Sequence, residues 1–340
     1  MPGPFPRRVL LVLLVAGFLA VPGVWHLLQG AADSPLVFGD DPNLPTLTLF
    51  TSAMATTPQL AFWAAVQAGD IQKLCNLRVM IWKNLDDLRG VLLAGKGDLW
   101  LGHTEGFAQA HAANAPVRLL YISAWRKFYL VSTDPSVTSF ADMRGRKLAY
   151  APVGSSAVPI LKGLLEGVDI DFTPHEPQQL AMMMISGRSD TALVPEPLVS
   201  SLLHAMPDLR VVESVEDLYG RRSRHPARMP IVGMAVNADT LEQHPEIVQG
   251  IVSAVLRHSP RVRDEPGIGI AALPEPFGAF TSKELVHASL ERDIILDLPA
   301  SEVRDEIKTY LDLVMPGRLF DLDGLIWNSP IATAIVDASS

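Results

Sequence analysis

From Leu47 onward the apolar positions switch between two spacings, one suited to a buried strand and one to an amphipathic helix. Leu47 to Phe50 is an apolar run, and the polar stretch after it ends at Thr57, an N-cap candidate. Pro58 then opens a helix-like segment with Leu60, Phe62, Trp63 and Val66 inside and Gly69 as its stop. Leu77 to Trp82 is the next strand candidate. Asn84 starts a helix that puts Leu85, Leu88, Val91 and Leu92 on one face and stops at Gly95. Residues 99–104 and 117–123 complete a first strand–helix set. A second set has strands at Leu148 to Ala151, Val168 to Phe172, Ala192 to Val194 and Leu209 to Val212, with helices opening near Ser155, at Pro177 and near Pro197. Strands that alternate with helices predict parallel pairing and an α/β class.

Two strongly β-forming runs flank the second set, Lys127 to Thr133 and Pro230 to Asn237, and beyond them the pattern is mostly helical from Pro245. This predicts a two-lobed α/β molecule. Lobe one would be discontinuous, 45–132 and 231–330, and lobe two would be an insertion, 133–230. Phe128 to Ser132 and Ile231 to Val236 would cross between the lobes and form a hinge.

A chain of 340 residues is long enough for two lobes, and 48% hydrophobic with 19% charged residues marks it as globular. The net charge of −9 argues against a nucleic-acid partner, which needs a basic face. Cys75 is the one cysteine, so no disulfide framework and no cysteine-based zinc site can form within the chain. Residues 1–32 combine Arg7 and Arg8, an apolar run from Val9 to Val24 and small residues at Gly30, Ala31 and Ala32. That is the layout of a secretory signal cut near Ala32, with an uncut membrane anchor as the alternative, and it predicts a periplasmic protein.

Enzyme signatures fare poorly. Gly90 to Gly97 imitates a phosphate-binding loop, but Gly97 stands where Ser or Thr is needed and the stretch follows a helix instead of a strand. There is no G-x-S-x-G elbow and no H-E-x-x-H helix. His103 and Glu105, after a strand, could act as base and ligand or simply line a cleft. The Met182 to Met184 run could line an adaptable pocket, though successive helical residues point different ways and at least one should pack in the core. Trp125 is the best aromatic candidate to face a ligand, against an equal case for a core role. Strand, Gly154-Ser155-Ser156, helix is an arrangement that aims backbone N–H groups and hydroxyls at a polar group, although a helix needs an N-cap in any case.

The blocks "TSAMATTPQLAFWAAVQAGD", "VLLAGKGDLWLGHTEG", "FADMRGRKLAYAPVGSSAVPILKGLLE", "PQQLAMMMISGRSDTALVPEPL" and "HPEIVQGIVSAVLRHS" together resemble periplasmic solute-binding proteins of the nitrate, sulfonate and taurine type, a grouping that includes thiamine-precursor pyrimidine binders. The resemblance spans about residues 45 to 315. It implies a two-lobed type II periplasmic binding protein, a monomer without cofactor or metal, that captures a small polar or aromatic organic solute between its lobes and delivers it to the permease of an ABC importer. The membrane would be met only through that transporter or through an uncut first segment. The same resemblance puts ligand loops at Ser52 and Thr56, at His103, Thr104 and Glu105, at Ser123 to Trp125, at Gly154, Ser155, Ser156 and Ala157, and at Pro195, Glu196 and Pro197. Glu105 and Glu196 would oppose a small, strongly charged anion, which leaves room for an aromatic, heterocyclic or zwitterionic solute. Two other readings stay open: an enzyme on the same fold, of the pyrimidine-precursor or menaquinone-pathway type, and a membrane-anchored ligand sensor.

Overall fold

A computed structural model describes residues 35–54, 57–279 and 281–328. The expected signal segment and Thr56 lie outside the described residues. In chain order the strands are β1 (Leu36–Phe38), β2 (Thr46–Thr51), β3 (Asn76–Ile81), β4 (Leu99–His103), β5 (Val117–Ala124), β6 (Phe128–Ser132), β7 (Lys147–Tyr150), β8 (Asp171–Pro174), β9 (Thr191–Pro195), β10 (Arg210–Ser214), β11 (Val232–Asn237) and β12 (Leu298–Pro299). They form a seven-stranded sheet, β1-β3-β2-β4-β11-β5-β12, and a five-stranded sheet, β10-β6-β9-β7-β8. The chain is a mixed α/β protein of two lobes, one around each sheet.

Each sheet contains the same parallel core. β2 lies between β3 and β4, and β7 lies between β8 and β9, all parallel to their central strand. The chain therefore leaves β2 to one side and returns on the other, and does so again at β7. Such a reversal leaves a gap at the carboxyl ends of the central strand and its neighbour, where open α/β sheets take ligands.

The crossings differ from the sequence expectation. β6 pairs with β9 and β10 and belongs wholly to the second sheet. β11 pairs with β4 and β5 and belongs wholly to the first. The chain therefore passes between sheets at residues 125–127 and 223–231, and neither β run is itself a crossover strand. The reason lies in the faces of β6. Leu130 enters the large core, while Tyr129 and Val131 enter a separate cluster with Met184, Val194, Val199 and Leu202. A strand buried on both faces belongs inside a sheet.

The C-terminal third also does more than complete the first lobe. The Pro245–Asp264 and Pro266–Ala272 helices pack on the Leu60–Gln67 helix, apolar and buried from Leu60 to Val66, as expected. The Lys283–Ser289 helix touches both the Pro266–Ala272 helix and the Leu198–Ala205 helix of the second lobe, and the Arg304–Val314 helix touches both Thr104–Ala112 and Ala157–Leu164. Ile307, Tyr310 and Leu311 on that last helix share one buried cluster with Trp100 and Phe107 of the first lobe and Leu148, Ile160 and Leu161 of the second. Cys75 is packed inside, with its thiol pushed up to about 12 by burial. Met184 is buried while Met182 is exposed, as helical geometry requires of near neighbours. Among the described residues no helix is long and apolar enough to cross a membrane.

Candidate functional site

The carboxyl ends of the two parallel cores face one another across a narrow crevice. Thr57 and Pro58, from the loop after β2, line one side, and Glu196 and Pro197, just after β9, line the other. Ala124, Arg126 and Lys127 of the first crossing form its floor together with Asp293 from the C-terminal segment. The free space is about 10 Å3, roughly what one water molecule needs. The lobes are closed on each other.

Of the expected ligand residues, Glu196 and Pro197 line this crevice, with Ala124 of the Ser123 to Trp125 loop; many polar atoms of the others are already engaged within the protein. Ser52 is buried at the end of β2; its hydroxyl accepts the Met54 N–H at 3.1 Å, and its carbonyl accepts Gln59 Nε2–H. Gln59 Oε1 in turn accepts from Thr51 Oγ1 and Trp63 Nε1, both at 2.9 Å, so the loop is anchored to the core. His103 Nδ1 lies 3.1 Å from Glu105 Oε1. Tyr310 donates its hydroxyl to Glu105 Oε2 at 2.7 Å. Burial works against the charge on Glu105, yet His103 and the Tyr310 hydrogen bond outweigh it and hold the carboxyl below its usual value. Thr104 is fully buried and its hydroxyl has no partner among the described residues.

On the second lobe, Ser155 and Ser156 are buried just before the Ala157–Leu164 helix. Ser155 Oγ accepts weakly from Ala157 N at 3.4 Å, and Ser156 Oγ lies 3.4 Å from the Tyr310 hydroxyl oxygen, to which its own hydroxyl can donate while the tyrosine proton goes to Glu105. Gly154 is exposed with φ of +77°, and a Cβ there would meet nothing within 4 Å. Glycine suits this turn for its left-handed backbone. Glu196 is 5% exposed, and its carboxylate accepts Ser200 N and Ser200 Oγ, each at 3.1 Å, and Arg292 Nε at 2.7 Å.

Trp125 departs from its expected place. The ring is fully buried, its Nε1–H donates to Leu296 O at 2.7 Å, and the Arg228 guanidinium lies 4.6 Å above it. It offers no face to the crevice, because the crossing turns it toward the C-terminal segment. Sequence reasoning missed Lys127, Asp293 and the two residues that tie the lobes, Arg292 and Tyr310. Lys127 had a faint signal, a lone cation inside the β-forming run "KFYLVST"; the other three had none.

Charge at the crevice is uneven. Arg126 pairs with Asp217 at 2.8 Å. Glu216 Oε1 accepts the backbone N–H of Lys127 and Phe128, at 2.9 and 3.2 Å, and burial pushes its carboxyl up to about 7. Burial also raises Asp293 to about 7 and lowers Lys127, even though Asp293 and Glu196 oppose the latter shift.

Solved structures of similar fold are consistent with this layout. A structure described as an ABC transporter from Parabacteroides distasonis superposes with a TM-score of 0.66 at 17% identity, covering 84% of this chain and 99% of that one. The periplasmic aliphatic sulphonate-binding protein SsuA from Escherichia coli gives 0.65 at 16% identity, with 84% and 92% covered. The periplasmic nitrate-binding protein NrtA from Synechocystis PCC 6803 gives 0.60 at 13% identity, with 90% and 86% covered. No curated protein sequence matches the chain. At these identities the likeness is one of fold. The model of the NMT1/THI5-like family, however, matches residues 76–266, more than half of the sequence, and the chain belongs to that family.

Proposed function

We propose that the chain is an extracytoplasmic solute-binding protein that captures a small polar or aromatic organic solute between its lobes and hands it to an ABC importer. The observation that carries this reading is the crevice itself. The carboxyl ends of two parallel strand trios meet there, with the Lys127 side chain lining it and making no hydrogen bond or ion pair among the described residues. Similar folds that bind sulphonate or nitrate support the same role.

In this reading residues 128–222 move as one lobe, and the connections 125–127 and 223–231 are the hinges. Opening exposes Thr57, Lys127 and Asp293 together with Thr104, His103 and the Gly154 to Ser156 turn. The chain is exported, with a mature start near Asp33.

The test is a thermal-shift screen of the purified protein against sulfonates, nitrate, pyrimidines, amino acids and aromatic acids. A solute that binds only the folded state raises the melting temperature. Small-angle scattering of the same samples should show an open population that contracts with the active compound. A protein that responds to none of these classes would overturn the reading. Mass spectrometry of the protein from cell fractions checks the export step; an intact Val9 to Val24 segment in the membrane would favour the anchored form.

A further inference from the structure

The floor of the crevice holds an ammonium and a carboxyl group, Lys127 and Asp293, that the protein leaves without a close partner of opposite sign. Lys127 Nζ forms no ion pair within 4.0 Å among the described residues. Asp293 likewise has no cation within that distance; its carboxyl accepts from its own neighbour Ile294 N at 2.8 Å and from the Thr57 side chain. The two feel each other across the crevice, each acting to stabilise the other's charge, but they do not touch. Of the other charges nearby, Glu196 is matched to Arg292 at 2.7 Å and Arg126 to Asp217 at 2.8 Å, Glu105 is held by His103 and Tyr310, and Glu216 accepts the backbone N–H groups of Lys127 and Phe128.

A charge taken out of water without a partner is expensive, and an ion pair in such a place forms well only with a close, hydrogen-bonded counterion. A neutral solute entering this crevice would leave both charges unmatched. An anion would serve Lys127 while facing Asp293 and Glu196. A cation would serve Asp293 while facing Lys127 and Arg126. A solute with both charges a few bonds apart satisfies both ends at once, and it stands where the two side chains cannot reach each other.

Building on the solute-binding reading above, we infer that the captured solute is a small zwitterion of the amino-acid type, its carboxylate or other oxyanion received by Lys127 and its ammonium by Asp293. Arg126 adds a buried Nε–H that has no acceptor in the closed form, placed to share the oxyanion.

The experiment is calorimetric titration of the purified chain with the common α-amino acids, β-alanine and γ-aminobutyrate. Each is paired with its N-acetyl derivative, which keeps only the negative charge, and its carboxamide, which keeps only the positive one. The expected result is binding by at least one free amino acid, with each single-charge derivative weaker by about tenfold or more. Lys127→Met should erase the preference over the carboxamide, and Asp293→Asn the preference over the N-acetyl form, with melting temperatures checking that both variants fold. The derivative series on the unaltered protein needs no variant. A derivative that binds as tightly as its parent overturns the zwitterion assignment. So does binding of an alkanesulfonate, nitrate or pyrimidine in the absence of any amino-acid binding, which leaves the solute-binding reading standing. Silence from every probe counts against both.

Discussion

Tyr310 donates its hydroxyl to Glu105 at 2.7 Å, and through the same oxygen it reaches Ser156 in the other lobe at 3.4 Å. The contact fastens the Arg304–Val314 helix to the first turn after β4 and to the turn before Ala157. Tyr310→Phe removes the hydroxyl and leaves Glu105 with His103 alone. A hydrogen bond to a buried charged group is worth about 1–3 kcal/mol, so urea unfolding of the variant should show a loss in that range. Its scattering radius should also grow as the lobes part more often. An unchanged midpoint and an unchanged radius would show that the hydroxyl holds nothing.

Arg292 and Glu196 form the second tie across the crevice. The Glu196 side chain is 4% exposed, and Arg292 also donates to Ser200 Oγ at 2.8 Å. Removing the guanidinium with Arg292→Met leaves a buried carboxylate facing only Ser200. Breaking a buried pair from one side typically costs about 3–5 kcal/mol, and partial exposure of Arg292 places this case toward the lower end. Chemical denaturation reads the loss. The double variant Arg292→Met with Glu196→Gln should recover part of it, because the uncompensated charge is gone.

Three buried acids make stability fall as pH rises. Burial pushes Glu216, Asp293 and Asp297 each up to about 7, from ordinary values of 4.5, 3.8 and 3.8. Between about pH 4 and 7 the folded chain therefore holds protons at these sites that the unfolded chain has released. Their contribution to stability is full below that window, shrinks through it, and is level above about pH 7. Asp297→Asn should flatten part of this slope and raise stability at pH 8 relative to the parent. Unfolding free energies measured at several pH values provide the check; an unaltered slope would place the proton elsewhere.

At Gly154 the constraint is conformational. With φ of +77° and no atom within 4 Å of a Cβ, Gly154→Ala should cost about 1 kcal/mol through backbone strain while leaving solute affinity within a few-fold. Melting temperature and titration of the same variant separate the two effects. A large loss of affinity with an unchanged melting temperature would restore the idea that a ligand approaches the backbone there.

Some of this was legible in the sequence because it is decided by neighbours along the chain. The Asn84 side chain accepts Asp87 N–H at 2.9 Å and caps its helix, as the residue types predict. The Leu60–Gln67 helix stops just before Gly69, as its sequence foretells, while Thr57 and Pro58 form a short 3-10 turn ahead of it and Gln59, not Thr57, stands at its N-cap. The strand–helix alternation yields parallel cores in both sheets, while the ligand loops at the ends of β2, β4, β7 and β9 are what the family resemblance implies. The α/β class and the two lobes are thus properties of local pattern.

What only the tertiary structure decided depends on partners far along the chain. β6 was recognisable as a strand, but its sheet is chosen by pairing with β9 across some sixty residues and by cores on both of its faces. Trp125 looks the same in sequence whether it faces a solute or a carbonyl; Leu296, 171 positions away, settles it by accepting the indole N–H. The charges behave likewise. Glu196 reads as a ligand residue until Arg292 occupies it, and Lys127 reads as an ordinary surface cation until folding places it in the crevice beside Asp293 with no close counterion. A hydrogen bond or an ion pair acts over a few ångström of space, whatever the distance in sequence. The residue types therefore set which groups could pair, and the packing of the two lobes determined which of them remain unpaired at the crevice.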